Sequence, residues 1–513
     1  MSSTGLPASL DTRAAPARSV WSSDIRLLVC LAGVTVLAHL LHGGGYGFHR
    51  DELATLDDAR HLDWGYVAYP PLTPFFARLS LSLFGTSLAG FRFFASLAQA
   101  TAVVLAGLMA RELSGGRTAQ LLAGAAAIPF CLASGALMQY VAFDCLWWVA
   151  AAYFTIRLLK SDNPRWWIAI GAAFGLGMLT KYGILFLGPG LAVGLLLTNK
   201  RRYYASKWLW FGVAVALLIW LPNLIWQIQH HFISLEFLRN IHERDVRIGR
   251  TKDFLPDQLK LTLFALPLWL AGLYRYLISR EGKPYRVLGW MYIIPLLLFV
   301  VAKGRGYYLA GAYPMLYAAG AVSFERWTAT LRRAWGWSLR ALAFAALCAD
   351  IVLIALITLP TARVNSPLWK FASKNNGDLV EELNWPELAQ TVAHIRDSLP
   401  DEDRARLGLL AANYGEAGAI NLYGPQYGLP PAISGINSFW QRGYGTSPPE
   451  VLIVLGFSQR FRDRNFSSCQ LAARTPNPFN VANEETTDHP EIFVCRGLRQ
   501  RWPEFWKGFR YFG

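Results

Sequence analysis

Acids and imidazoles crowd one short polar stretch of this chain. Between Gly43 and Leu83 it reads Gly43-Gly44-Gly45-Tyr46-Gly47-Phe48-His49-Arg50-Asp51-Glu52, then Asp57, Asp58 and His61, then Trp64-Gly65-Tyr66 and Tyr69-Pro70-Pro71-Leu72-Thr73-Pro74. A carboxylate held beside an apolar surface can take the proton of an attacking hydroxyl, which makes Asp51 and Glu52 candidates for a general base. Asp58 falls about two helical turns after Asp51 and shares its face. A structural account stands beside this one. Leu53, Leu56, Ala59 and Leu62 form the apolar stripe of a helix, Asp51 would cap its start, and the other acids would face water. A metal site from His49, Asp51, Glu52, Asp58 and His61 is conceivable, but no tight ligand spacing enforces it. No metal and no cofactor are therefore expected, a divalent cation being the minor alternative.

The elements that must position these groups belong to a membrane. Of the 513 residues, 53% are hydrophobic and 16% charged, against about 25% charged in soluble domains. Apolar runs of roughly 20 residues, enough to cross about 30 Å of hydrocarbon, recur up to residue 360. They fall near 24–42, 88–110, 118–136, 140–159, 166–180, 183–198, 208–227, 259–278, 286–302, 307–323 and 340–360, about eleven in all. The net charge of +15 is not a nucleic-acid signature. Its Lys and Arg gather in alternate short loops, at Arg111 and Arg117, Arg157 to Arg165, Lys200 to Arg202, Arg275 to Arg286 and Arg326 to Arg340. The positive-inside rule places those loops in the cytoplasm. The 43–87 stretch, the 228–258 loop, Lys303 to Tyr308 and everything after 361 then lie outside it.

The expected fold is an all-α polytopic membrane protein with a small C-terminal α/β extracytoplasmic domain. Residues 1–22 read as a disordered cytoplasmic N-terminus and the first span as an uncleaved anchor. The membrane domain occupies 23–360, with interfacial helices in 43–87, and the outer domain occupies 361–513. In 43–87, Phe75, Phe76, Leu79, Leu83 and Phe84 oppose Arg78, the pattern of a helix lying in the membrane interface. In the outer domain, a helix is expected over 386–399, and strands at Leu407–Ala412, Val451–Gly456 and Ile492–Cys495. Six cysteines are present. Cys469 and Cys495 fall in this outer part, where a disulfide and two free thiols are both open.

Further candidates are charges on the wrong side or in the wrong solvent. Arg92 and Asp144 lie just inside spans near the outer face, where a buried charge marks a functional site or a structural Arg–Asp pair. Asp350 sits near the middle of the last span. Lys181-Tyr182 and Lys303-Gly304-Arg305-Gly306-Tyr307-Tyr308 place cations outside, against the charge bias. Lys and Arg there suit a phosphate headgroup; the alternative is snorkelling in an aromatic belt. The 228–258 loop, with His242, Glu243, Arg244, Asp245, Arg247 and Arg250, is either a cover over a site or a solvated loop. No Walker loop, dinucleotide fingerprint or Gly-x-Ser-x-Gly elbow is present, so energy for a reaction must arrive with the substrate.

The order Arg50-Asp51-Glu52, His61 to Tyr66, Pro70 to Pro74, Phe91-Arg92, Asp144, Gly177-x-x-x-Lys181-Tyr182, Lys303-x-Arg305-x-Tyr307-Tyr308 and Tyr313-Pro314 resembles the integral-membrane GT-C glycosyltransferases. The branch it looks most like holds bacterial relatives of dolichyl-phosphate-mannose–protein mannosyltransferases (glycosyltransferase family 39) and of the lipid A aminoarabinose transferase. Asn413 to Ile420 resembles the outer domain of that branch. The resemblance implies a GT-C fold and a polyprenyl-phosphate sugar donor, undecaprenyl phosphate in bacteria. It also implies inverting transfer to a glycolipid, lipopolysaccharide or other envelope acceptor at the outer face of the inner membrane. Asp51 would be the base, with Glu52 beside it. Lys303 and Arg305, with Tyr307, Tyr308 and Arg92, would hold the leaving lipid phosphate, and Asp58, His61, Asp144 and Lys181 would bind substrate. The missing MIR-type insertion turns the reading away from protein O-mannosylation. A flippase for lipid-linked sugars is the alternative of another class, but transporters gather charge near the midplane, and here it gathers at one face.

Overall fold

The computed structural model describes residues 23–513; the expected N-terminal tail lies outside the described residues. Seven helices among the described residues are long and apolar enough to cross a membrane. They are Ser23–His42, Phe93–Glu112, Arg117–Gly135, Tyr140–Ser161, Lys207–Gln229, Lys283–Val301 and Arg333–Thr358. The remaining expected spans are helical too, but shorter, broken or less apolar: Trp166–Met178, Tyr182–Leu196, the pair Phe254–Thr262 and Leu266–Leu277, and Tyr313–Thr330. This is a multi-pass membrane protein. Where lipid is as apolar as a side chain, helices associate through close backbone approach at small residues. Gly171 shows it: a Cβ there would lie 2.0 Å from the carbonyl oxygen of Gly212, so Trp166–Met178 packs directly on Lys207–Gln229. The last span, Arg333–Thr358, buries little of its surface and carries Asp350 half-buried near its middle.

The polar stretch after the first span folds into an acidic helix, Arg50–Arg60, and an apolar one, Leu72–Phe84. Leu53, Leu56 and Ala59 are buried as their spacing predicts, whereas Leu62 lies beyond the helix end and is exposed. Phe75, Leu83 and Phe84 are exposed on Leu72–Phe84, the surface an interfacial helix offers to lipid. The 228–258 loop is a helix, Ile233–Arg247, which continues into a turn at Gly249. We call it the roof helix.

Beyond residue 361 the chain builds a five-stranded sheet from β1 (Leu407–Ala411), β2 (Ala432–Ile433), β3 (Val451–Leu455), β4 (Phe466–Arg474) and β5 (Glu491–Leu498), in the order β2-β1-β3-β5-β4. β1 pairs parallel with β2 and β3, and β5 pairs antiparallel with β3 and β4. The expected helix is Trp385–Asp397, with proline in its first turn. β2 and β4 were not expected. β2 has two residues, and β4 is an edge strand whose mostly exposed side chains leave no apolar run. Cys469 and Cys495 face each other across β4 and β5 and are disulfide-bonded. One face of the sheet shares a core with the acidic helix: Leu53 and Leu56 join Leu388, Val392, Ile453 and Val494.

Candidate active site

The acidic helix begins at His49, not at Asp51. The Asp51 amide donates to His49 Nδ1 at 3.1 Å, and the His49 amide donates to Glu52 Oε2 at 3.0 Å. The expected Asp51 cap is thus taken over by an imidazole, and the Asp51 carboxylate is released from the backbone. It lines a cavity of about 460 Å³. Its Oδ1 accepts from Tyr414 Oη at 2.8 Å and its Oδ2 from Gln139 Nε2 at 3.0 Å. Tyr414 arrives from the helix that follows β1, Tyr414–Tyr423. Gly418 makes this approach feasible, since a Cβ there would stand 2.8 Å from the Leu53 backbone. One turn earlier on that helix, Tyr414 meets Asp51.

Asp58, Lys181, Lys303, Arg305 and Tyr308 line the same cavity. Arg442 bridges Asp57 and Asp58, and Tyr69 Oη donates to Asp58 Oδ2 at 2.6 Å. Burial pushes the Asp58 carboxyl up to about 6, against the pull of Arg442 and Tyr69. The Lys181 ammonium rests on three tyrosine rings, 4.0 Å from the centroid of Tyr308, 4.4 Å from Tyr140 and 5.1 Å from Tyr307. Ring faces attract a cation without forming an ion pair with it. Tyr307 belongs to this cage and does not line the cavity. Asp144 stands close behind: a Cβ on Gly183 would meet Lys181 Cδ at 3.7 Å and Asp144 Oδ2 at 3.9 Å. Asp144 therefore neighbours Lys181, and the expected Arg92–Asp144 pair does not form.

The roof helix closes the cavity. Phe237, Ile241, His242, Arg244 and Asp245 line it, with Arg250 beyond the helix end. Asp245 is buried and accepts from Arg305 Nε at 2.6 Å. Arg244 and Arg250 stand 3.6 and 3.9 Å from its other oxygen. One carboxylate thus gathers three guanidiniums, which leaves the group with an excess of positive charge. The solvated-loop reading of this segment is excluded by its buried face. Lys303 is exposed and adopts a left-handed backbone, φ 49°.

Besides Tyr307 and Asp144, three further sequence candidates do not line the cavity. Glu52 is fully buried and accepts from Arg92 Nη2 at 2.6 Å, Arg92 Nε at 2.9 Å and the Met138 amide at 2.8 Å. Arg92 also donates to the Gly43 carbonyl at 2.8 Å and lies 3.4 Å from Glu382. Every Glu52 oxygen is used, so it is a staple between the acidic helix and the bundle. His61 caps the helix end, its Nδ1 2.9 Å from the Asp57 carbonyl, with its ring largely in solvent. Sequence reasoning missed Gln139, Tyr414, Arg442 and the hub role of Asp245. Only Tyr414 carried a signal, through the capping box that Asn413 and Glu416 form around it.

Residues 68–226 match the family described as dolichyl-phosphate-mannose-protein mannosyltransferase. The match includes Arg92, Asp144 and Lys181 and excludes Asp51, Lys303 and Arg305. A lipid A galacturonosyltransferase, RgtD of Rhizobium johnstonii, is 27% identical over 306 residues, covering 56% of this chain and 63% of its own length. An undecaprenyl phosphate-alpha-4-amino-4-deoxy-L-arabinose arabinosyl transferase of Sodalis glossinidius is 29% identical over 31% of each chain. This chain therefore spans less than two thirds of either relative. Among solved structures, ArnT from Cupriavidus metallidurans in the apo state superposes with a TM-score of 0.58 over 92% of this chain and 98% of that one, at 15% identity. The same protein bound to undecaprenyl phosphate gives 0.57 at 16% identity. The fold is that of the GT-C glycosyltransferases, as the sequence resemblance implied.

Proposed function

We propose that this chain is an inverting glycosyltransferase. It moves a hexosyl or pentosyl group from a polyprenyl-phosphate sugar to a glycolipid, lipopolysaccharide or other envelope acceptor. The site lies at the outer face of the cytoplasmic membrane, with the N-terminus in the cytoplasm and residues 361–513 outside. The observation that carries this reading is one cavity lined by Asp51, an acid with no cation partner among the described residues, and by Lys181, Lys303 and Arg305. A base and an anion site are the two things such a displacement needs. The relatives named for lipid A and for an undecaprenyl-phosphate donor agree with it.

In the reaction, the acceptor hydroxyl oxygen bonds to the anomeric carbon as Asp51 takes its proton. The bond from the anomeric carbon to the phosphate oxygen breaks, and the polyprenyl phosphate leaves with the electron pair. Tyr414 and Gln139 hold the Asp51 carboxylate in one orientation; such positioning supplies much of an enzyme's advantage. Lys303 and Arg305 receive the phosphate charge, in a site partly walled from water by the roof helix, where the attraction is strengthened. The interfacial helix Leu72–Phe84 offers its exposed face to the lipid chain. The test incubates the purified protein in detergent with a synthetic polyprenyl-phosphate sugar and an envelope glycolipid fraction. Donor consumption with glycolipid product is the expected result. A donor that is bound and never consumed overturns the proposal.

A further inference from the structure

A second cavity, of about 590 Å³, opens on the outer α/β part and shares no lining residue with the first. Its size lies within the roughly 300–1,000 Å³ of small-molecule sites. Its floor is aromatic. Phe457 stacks on Phe461 with centroids 4.1 Å apart, and Phe505 on Phe509 at 4.8 Å. Its rim is cationic. Arg460 and Arg464 stand one turn apart on the helix Gln459–Asn465, and Arg510 and His489 join them. Among the described residues no Asp or Glu lines this cavity. Of the rim cations only Arg510 is ion-paired among the described residues, 2.8 Å from Glu236 on the roof helix. Guanidiniums left facing a hollow suit a phosphate or carboxylate, which they bind in a bidentate fork. An aromatic floor suits the apolar face of a sugar ring.

The two cavities are joined through one segment. Gly508 to Tyr511 line the outer cavity and Gly513 lines the catalytic one. Tyr511 Oη donates to the Ala412 carbonyl, two residues before the Tyr414 that holds Asp51. Arg510 ties the same segment to the roof helix. A ligand in the outer cavity therefore touches the chain that forms the wall of the active site.

We propose that this outer cavity is a second saccharide site. It binds a phosphate- or carboxylate-bearing sugar of the acceptor glycan at a distance from the hydroxyl that reacts at Asp51. The identity of the ligand as acceptor rests on the transfer reaction proposed above; the site itself does not.

The test titrates the full chain in detergent, without donor, against three probes: a bisphosphorylated glucosamine disaccharide, digalacturonate and neutral chitobiose. At least one anionic probe is expected to bind about 10-fold or more tighter than the neutral one. Arg460→Ala with Arg464→Ala should raise its Kd about 10-fold or more, with polyprenyl-phosphate binding unchanged. Arg460→Lys with Arg464→Lys, which keeps the charge, should recover part of the loss and guards against a folding defect. Equal affinity for neutral and anionic probes, or an unchanged Kd in the Ala pair, overturns the inference. In transfer assays the Ala pair should raise KM for an anionic acceptor and leave kcat in place. Because the titration needs no catalysis, a protein that binds these probes through Arg460 and Arg464 but moves no sugar would keep this site and lose the proposed reaction.

Discussion

Asp51 and Glu52 are neighbours on one helix with opposite surroundings. Asp51 faces the cavity and is held by two neutral donors, Tyr414 and Gln139. Glu52 faces the protein, fully buried, bonded by Arg92 and by the backbone amides of Met138 and His49. Consecutive helical residues differ by about 100° in direction, and here that turn takes Asp51 to the cavity and Glu52 to the interior. A carboxylate bonded on every side to a cation and to amides has no lone pair to offer a substrate. Asp51, held by neutral donors only among the described residues, keeps its carboxylate facing the cavity. The cavity face of the acidic helix leaves its carboxylate open, and its sealed face holds the assembly together.

That contrast can be broken most forcefully at Asp51. Asp51→Asn should lower sugar transfer by about 10²–10⁴-fold, the usual worth of a general base, while donor binding and thermal midpoint stay near wild type. Transfer at wild-type rate would remove Asp51 from the chemistry.

Glu52→Gln should do the reverse. Removing one partner of a buried ion pair costs about 3–5 kcal/mol, so the thermal midpoint in detergent should fall, and activity should fall with the folded fraction. A stable Glu52→Gln protein that binds donor but transfers nothing would move Glu52 into the reaction and erase the distinction.

A subtler probe lies on the sealed face. Burial raises the Glu382 carboxyl from 4.5 to about 7, against the pull of Arg92. Since the folded state holds its proton more tightly than the unfolded chain, the associated stability is full below about pH 4.5 and is lost as pH rises through about 7. Glu382→Gln should flatten that decline, by on the order of 1–3 kcal/mol between the two ends. Identical pH profiles of the thermal midpoint would mean that Glu382 does not govern the junction.

The smallest effect is expected at the cavity cations. Lys303→Ala should weaken binding of polyprenyl phosphate about 10-fold, the loss of one charge-assisted contact, with little change in stability, because Lys303 is exposed. Unchanged affinity measured by titration would return Lys303 to the role of an interfacial anchor.

Much of this architecture was legible beforehand, because membrane spans announce themselves by length and apolarity. The polar stretch between the first spans and the later helix Trp385–Asp397 were also legible, from composition and from a proline at the helix start. Side-chain direction was less readable. The resemblance singled out Asp51 with Glu52 beside it, but the residues alone made Asp51 a helix cap, and the shift of that cap to His49 freed its carboxylate. Arg92 read as a phosphate ligand or a partner of Asp144, yet its guanidinium turns to Glu52, Glu382 and two carbonyls. Tyr414 and Arg442 lie more than 350 residues from the acids they bond, and no local pattern encodes a contact that long.

By itself, then, the amino-acid order determined the solvent of each segment: which parts enter lipid, and where acids and cations concentrate. These are properties of local composition, and water and hydrocarbon read them residue by residue. The tertiary structure alone decided which of those charged groups became partners and which stayed open to a substrate. That choice depends on helix rotation within a fraction of a turn and on close approaches such as Gly418 against Leu53, which are settled only when the outer sheet packs down on the acidic helix.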